Sequence, residues 1–255
     1  MQEDSWETSS RWYDKIVGPK GHYYHQKVVL PGIMKLLNLN PGAKVVDLAC
    51  GQGVLARHLP KGVSYLGIDA SPSLIRSAET AKVSPLHRFL TADLTKPLRL
   101  DQRDFSHATI ILALQNISDP KQVLQNASHL LKEGGQLLIV LSHPCFRIPR
   151  QSSWQVDEAK KLQFRRIDRY LSPLKIPIQT HPGQGEKSPE TWSYHHPLSS
   201  YSKWLEESGF VIELIDEWCS DKKSTGKTAP MENRCREEFP LFLAIRATKR
   251  MKDKG

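Results

Sequence analysis

Apolar positions along the chain fall into short β-branched runs separated by longer stretches of helical period, beginning near Ala43. Lys44-Val45-Val46-Asp47-Leu48 reads as a buried strand, the Gly51/Gly53 turn follows, and Val54–Leu59 is expected to begin a helix. Val63–Asp69, Arg88–Asp93 and Phe105–Leu112 read as the second, third and fourth strands. Ser71 or Ser73 can cap the helix after the second strand, since Pro72 is tolerated at a first helical position. Asp119-Pro120 opens an amphipathic helix with Val123, Leu124, Ala127, Leu130 and Leu131 on one face. Gly134-Gly135 should stop that helix, and Gln136–Leu141 reads as the fifth strand. Such alternation predicts βαβ units and a mostly parallel sheet.

The regular pattern ends at Ser142. Residues 144–197 carry seven prolines and no clean strand, and so long an irregular insertion in a compact domain predicts a lid or binding loop. Order returns with a helix over Ser199–Ser208 ended by Gly209, then a strand Phe210–Ile215. A polar stretch follows, and Leu241–Ala247 is the last strand.

Composition narrows the classes. The chain has 255 residues, enough for one large α/β domain, and no apolar run approaches the roughly 20 residues needed to span a bilayer. The first residues, with Glu3, Asp4 and Glu7 among Ser and Thr, do not resemble a secretory signal. Cys50, Cys145, Cys219 and Cys235 lie far apart, which predicts a reducing cytoplasm and no thiolate metal site. The net charge of +9 raises the question of a nucleic-acid partner, but five basic residues and one acidic residue sit in the last ten positions. What remains is Arg147–Lys175, with eight basic residues against three acidic and with Trp154, Phe164 and Tyr170 interleaved. That segment can track an RNA backbone, or it can cover a small acidic or aromatic substrate.

In a parallel sheet, ligands bind beyond the carboxyl ends of the strands. Three features fall there. Gly51 and Gly53 let the backbone turn sharply and approach a ligand, and the helix expected beyond them offers donors to an anion. Asp69 ends the second strand, where a carboxylate can grip the two hydroxyls of a ribose. Asp93 ends the third, placed to accept from an exocyclic amine. Together they predict a nucleoside site. Gly51-x-Gly53-x-x-Ala56 also fits a dinucleotide fingerprint. Asp47 argues against that, because its carboxylate would repel a pyrophosphate, whereas the ammonium and sulfonium of S-adenosylmethionine (SAM) favour an acidic floor.

Val45-Val46-Asp47-Leu48-Ala49-Cys50-Gly51-Gln52-Gly53 resembles the first motif of class I SAM-dependent methyltransferases. Gly67-Ile68-Asp69-Ala70-Ser71 resembles the second motif and Thr91-Ala92-Asp93-Leu94 the third. Ile111–Ile117 and Leu131-Lys132-Glu133-Gly134-Gly135 resemble the segments at the fourth strand and before the fifth. Gln115-Asn116 stands where the family often shows a His pair, and Glu133 where it has Pro. The resemblance implies an α/β, Rossmann-like three-layer sandwich with a seven-stranded, mostly parallel sheet and an antiparallel last strand. It also implies SAM as cofactor, S-adenosylhomocysteine as product and a small-molecule acceptor.

By position, Asp47, Ala49, Gly51 and Gly53 would hold the methionine part, Asp69 and Ala70 the ribose, and Ala92, Asp93 and Leu94 the adenine. Leu112 and Ala113 would form the floor, and Tyr24 would cover the site from a lid that also includes Trp12-Tyr13-Asp14. The implied organisation is an N-terminal helical lid (1–40), a SAM-binding core (41–145), a substrate lid (146–197), the C-terminal part of the same sheet (198–248) and a basic tail (249–255), one domain in all.

Methyl transfer needs a base only if the acceptor must shed a proton. His143 after the fifth strand and His195 before the sixth helix are the expected bases, since histidine titrates near neutrality. Ser193–Tyr201 resembles a His-Arg-Pro-Leu-Ser-x-Tyr stretch of some small-molecule members, with His196 in place of the Arg. Pro144-Cys145 resembles the nucleophile position of RNA 5-methylcytosine enzymes, but their Pro-Cys after the fourth strand is replaced by Leu114-Gln115-Asn116. RNA methylation and a non-catalytic SAM-binding module stand as the alternatives.

Overall fold

The computed structural model describes residues 22–179 and 190–251. Strands β1 (Lys44–Leu48), β2 (Ser64–Asp69), β3 (His87–Thr91), β4 (Phe105–Ile111) and β5 (Leu131–Ser142) are parallel neighbours in the order β3-β2-β1-β4-β5. Beyond β5 lie β11 (Phe242–Lys249) and then β10 (Phe210–Trp218), each antiparallel to its neighbour. This is the seven-stranded sheet with an antiparallel last strand that the sequence implied. Strand order reverses between β1 and β4, and that crevice is where such a sheet binds ligands.

Alternate residues of the central strands feed two cores. Val46, Leu48, Leu137, Ile139 and Leu141 face helices α3 (Pro120–Leu130) and α4 (Leu198–Glu207), which contribute Leu124, Ala127, Tyr201 and Leu205. Val45, Leu138 and Val140 face α1 (Leu30–Leu37), which contributes Ile33 and Leu37. Each fully buried aliphatic side chain stabilises the fold by about 1.5–3 kcal/mol. Helix α2 (Pro72–Thr80) starts as read, with Ser71 Oγ accepting from Leu74 N at 3.2 Å. In α3, Asp119 Oδ1 accepts from Gln122 N at 3.0 Å.

The structure departs from the sequence reading in five places, each for a local reason. The helix expected at Val54–Leu59 is one 3-10 turn, Leu55–His58, because Pro60 holds Leu59 extended. Helix α3 ends at Leu130 rather than at the glycines. Lys249 Nζ donates to the carbonyls of Ser128 and Leu131 at 2.6 and 2.7 Å, and β5 already begins at Leu131. Strand β3 stops at Thr91, so Asp93 lies two residues past it. The polar stretch after β10 contains helix α5 (Ala229–Glu238), which buries only Cys235 and so shows no apolar period.

The fifth correction is the insertion, which holds two antiparallel hairpins: β6 (Ser152–Asp157) with β7 (Leu162–Ile167), and β8 (Leu174–Gln179) with β9 (Glu190–His195). In β7 the half-buried positions are Gln163, Arg165 and Ile167, while Leu162 and Phe164 are exposed, so polarity runs against the usual strand pattern. In β8, Pro177 sits within the strand, paired with Trp192. The first hairpin rests on α5 through Cys235 Sγ, which donates to Gln163 O at 2.6 Å. The second packs near the turn Leu114–Asn116 that follows β4.

Candidate active site

The expected cofactor loop is defined by its backbone. Ala49, Gly51 and Gly53 have φ of 61°, 55° and 69°, and Leu112, after β4, has 52°. Left-handed Ala and Leu are uncommon; such residues cost about 1–3 kcal/mol each and concentrate where a ligand must be approached closely. Both were singled out from the sequence as site residues. Gly53 has a second constraint, since a Cβ there would lie 2.7 Å from the Phe89 ring.

Asp69 ties this loop to the next one. Its Oδ2 accepts from Gly51 N at 2.8 Å and its Oδ1 from Ser71 N at 2.9 Å. These two bonds orient the carboxylate between the loops. Ala70 beside it is exposed, and Ala92 N donates to Asp69 O at 2.9 Å, joining the third strand end to the second. Asp93 is shared differently from expectation. Its Oδ1 accepts from Thr95 N and Oγ1 at 3.0 and 2.7 Å, and its Oδ2 pairs with Lys96 at 3.3 Å. Leu94 is 4% exposed and belongs to the core.

Asp47 lies beneath the loop. Its carboxylate is 3% exposed and accepts from Tyr65 Oη and Thr109 Oγ1, both at 2.7 Å. Burial pushes its carboxyl up to about 6, against the pull of those two hydroxyls. Asp47 therefore acts on the loop through its field. Burial, followed by the charges of Asp69 and Asp47, also pushes the Cys50 thiol well up, so that cysteine is an inert packing group.

Gln115 and Asn116 have a structural task. Gln115 Nε2 and Asn116 Nδ2 donate to the carbonyl of Leu112 at 2.9 and 3.3 Å, bracing its left-handed backbone, while Leu112 N donates to Val140 O at 2.7 Å. Ala113 follows, half-buried against the core. Past these strand ends opens a cavity of about 200 Å³ lined by residues of β5's far end, β8, β9 and α4, among them Gln115, Arg147, Ile178, Ser193, His195 and Tyr201.

The two expected bases differ sharply. His143 is 2% exposed, with Nε2 2.7 Å from Glu217 Oε1 and Nδ1 accepting from Cys145 N at 3.1 Å. The second bond fixes the proton on Nε2, so neither nitrogen is left for an acceptor proton; His143 folds the turn after β5. His195 lines the cavity and directs Nε2–H to Tyr170 O at 2.6 Å, the tautomer in which Nδ1 carries a lone pair. Burial lowers its pKa, partly offset by the Tyr170 carbonyl, so the ring is neutral near pH 7. Cys145 is half-buried beside Tyr170. His196 packs edge-on against Trp204, with ring centroids 4.8 Å apart.

Tyr24 lies against β11 and the segment after β10. It packs edge-on against Phe242 at 5.9 Å and lies 3.2 Å from Ser220 Oγ, while Tyr23 Oη donates to Asp221 at 2.9 Å. Lys222 Nζ lies 4.7 and 5.1 Å over the two tyrosine rings. Trp12-Tyr13-Asp14 lie outside the described residues. Within the basic segment, Arg166 pairs with Asp168 and Lys160 lies 3.5 Å from Asp157, while Arg165 donates to Phe146 O and Ser152 Oγ and stacks on Trp154 at 5.1 Å. No helix among the described residues is long and apolar enough to cross a membrane.

Comparison with known proteins gives this geometry a context. A family model described as a methyltransferase domain matches residues 21–215. Ubiquinone biosynthesis O-methyltransferase of Xanthomonas oryzae pv. oryzae is 27% identical over 137 residues, 51% of this chain and 56% of that protein. Its namesake from Coxiella burnetii is 33% identical over 98 residues, 38% of this chain and 42% of that protein. The chain thus matches about half the length of these curated relatives. The crystal structure of an S-adenosylmethionine dependent methyltransferase from Mesorhizobium loti superposes with a TM-score of 0.67 at 27% identity, covering 86% of this chain and 96% of that one.

Proposed function

This chain belongs to the methyltransferase-domain family, and from that premise we propose that it transfers a methyl group from SAM to a small-molecule acceptor bound in the cavity beyond β4 and β5. One observation carries the reading. Asp69 holds two loops together beside the left-handed Ala49–Gly53 turn at the ends of β1 and β2, within a fold of the methyltransferase-domain family.

The donor set fits SAM on its own chemistry. Asp69 ends β2 with its carboxylate oriented by Gly51 and Ser71, the group that accepts from ribose hydroxyls, and Ala49, Gly51 and Gly53 are left-handed as a closely approached backbone requires. Asp47 beneath that turn favours a cationic ligand over a pyrophosphate through its charge rather than by contact. Ala70, Ala92 and the backbone of Asp93 and Leu94 frame the adenine, Leu112 and Ala113 form the floor, and Tyr24 covers the site. When bound, SAM supplies an electrophilic methyl group on a sulfonium.

His195 Nδ1 takes the proton of an acceptor hydroxyl or amine, and its bond to the Tyr170 carbonyl holds the ring in the tautomer that can do so. The β8–β9 hairpin keeps water out, and holding the acceptor in line supplies most of the acceleration. Two cations of the first hairpin, Lys160 and Arg166, are paired with Asp157 and Asp168, which supports a small acceptor over RNA.

Calorimetry with SAM, S-adenosylhomocysteine and NAD tests the cofactor; binding of NAD alone would refute this reading. A labelled-SAM assay on native extract should place label in the small-molecule fraction. Transfer into RNA alone would reverse the choice of acceptor.

A further inference from the structure

Resting on the methyltransferase reading, we propose that the acceptor is a small carboxylic acid whose carboxylate is held by Arg147, with its methylated hydroxyl or amine turned toward His195. The cavity contains one permanent cation and no anion: among its described lining residues Arg147 is charged, two histidines are held neutral by burial, and no Asp or Glu is present. The Arg147 guanidinium is half-buried and makes no hydrogen bond or ion pair among the described residues. A half-buried cation gains from an anion that replaces its partly lost water, and a guanidinium suits the planar, bidentate geometry of a carboxylate. Arg165 adds to the positive potential nearby, but its own donors are taken by Phe146 O and Ser152 Oγ.

Arg147 is held by the turn after β5. Its backbone N–H donates to His143 O at 2.8 Å, and the His143 ring fastens that turn to Glu217 on β10. The same lining offers groups that want a donor. Gln115 Oε1 is buried with no hydrogen-bond partner, and His195 Nδ1 carries a lone pair. Pro144, Pro149 and Ile178 add apolar surface. A molecule that joins an anionic group to a proton-bearing nucleophile is what this set of groups complements. One guanidinium with no second cation matches a monoanion better than a phosphate dianion.

Calorimetry on the full chain, saturated with S-adenosylhomocysteine, tests this with benzoate and its neutral isostere benzamide as probes. Benzoate should bind about ten- to a hundredfold more tightly than benzamide, the range expected for one charge-assisted contact. Arg147→Met should erase that preference while leaving S-adenosylhomocysteine affinity unchanged. Equal affinity for the two probes, no saturable benzoate binding, or tighter binding of phenyl phosphate than of benzoate would overturn the proposal. The wild-type comparison needs no variant to fold. Benzoate preference without S-adenosylhomocysteine binding would instead sink the methyltransferase reading and leave the anion site standing.

Discussion

The ends of β1 and β2 and the region beyond β5 meet at one crevice but are built by different means. On the first side the backbone decides: left-handed Ala49, Gly51 and Gly53, with the Asp69 carboxylate orienting the loops. On the second side the groups are side chains, each aimed by a contact distant in sequence: His195 on the β8–β9 hairpin by Tyr170, and His143 in the turn after β5 by Glu217. A backbone-built site suits a ligand that does not change, whereas a side-chain-built site can be altered one residue at a time. That is the division expected between a cofactor and an acceptor.

The largest expected effect separates the two histidines of the second side. His195→Gln should lower kcat by about a hundred- to ten-thousandfold with little change in unfolding midpoint, since it removes the proposed base. His195 must be deprotonated to act and burial lowers its pKa, so the acid limb of the kcat profile should lie below the ordinary histidine range and vanish in the variant. His143→Gln should do the reverse. It leaves Glu217 and the Cys145 N–H without their partner, costing about 1–3 kcal/mol of stability by urea unfolding while the acid limb persists. If both variants lost the same kcat and the same stability, the contrast would collapse.

A middle-sized effect concerns the first side. Asp47 is raised from an ordinary 3.8 to about 6, so between those values the folded chain binds more protons than the unfolded one. Its contribution to stability is therefore fully present below pH 4 and is lost as pH rises through 6, a difference on the order of 3 kcal/mol. Asp47→Asn should be more stable relative to wild type at pH 8 than at pH 4. A pH-independent difference in urea unfolding would show that Asp47 is ionised at little cost. The smallest effect belongs to the hairpin cations. Lys160→Gln with Arg166→Gln should leave the thermal midpoint and the turnover of the small-molecule acceptor unchanged, because exposed ion pairs contribute little.

What could be read in the sequence follows the same division. The strands, the Ser71 cap, the glycine turn and the acid at the end of β2 are each dictated by residues within a few positions, so the pattern exposes them. The partners of Asp47 are not local: Tyr65 lies 18 residues away and Thr109 lies 62, and only folding shows that the carboxylate is enclosed. The hairpins were hidden by Pro177 inside β8 and by the outward Leu162 and Phe164 of β7, and helix α5 by having one buried residue. Gln115-Asn116 looked like a lost motif. The amides instead brace Leu112, a role no spacing rule announces.

Strand β11 comes after β10 in the chain yet lies between it and β5 in the sheet. On the ribosome, β5 and the helices around it can assemble first, but β10 has no place to go until residues 242–249 have emerged. Until then the apolar flank of β5, Leu137–Leu141, is an open edge available to any passing strand. Vectorial synthesis thus gives this chain a late vulnerable interval, and a chain truncated just before Phe242 should recruit chaperones more strongly than the full chain.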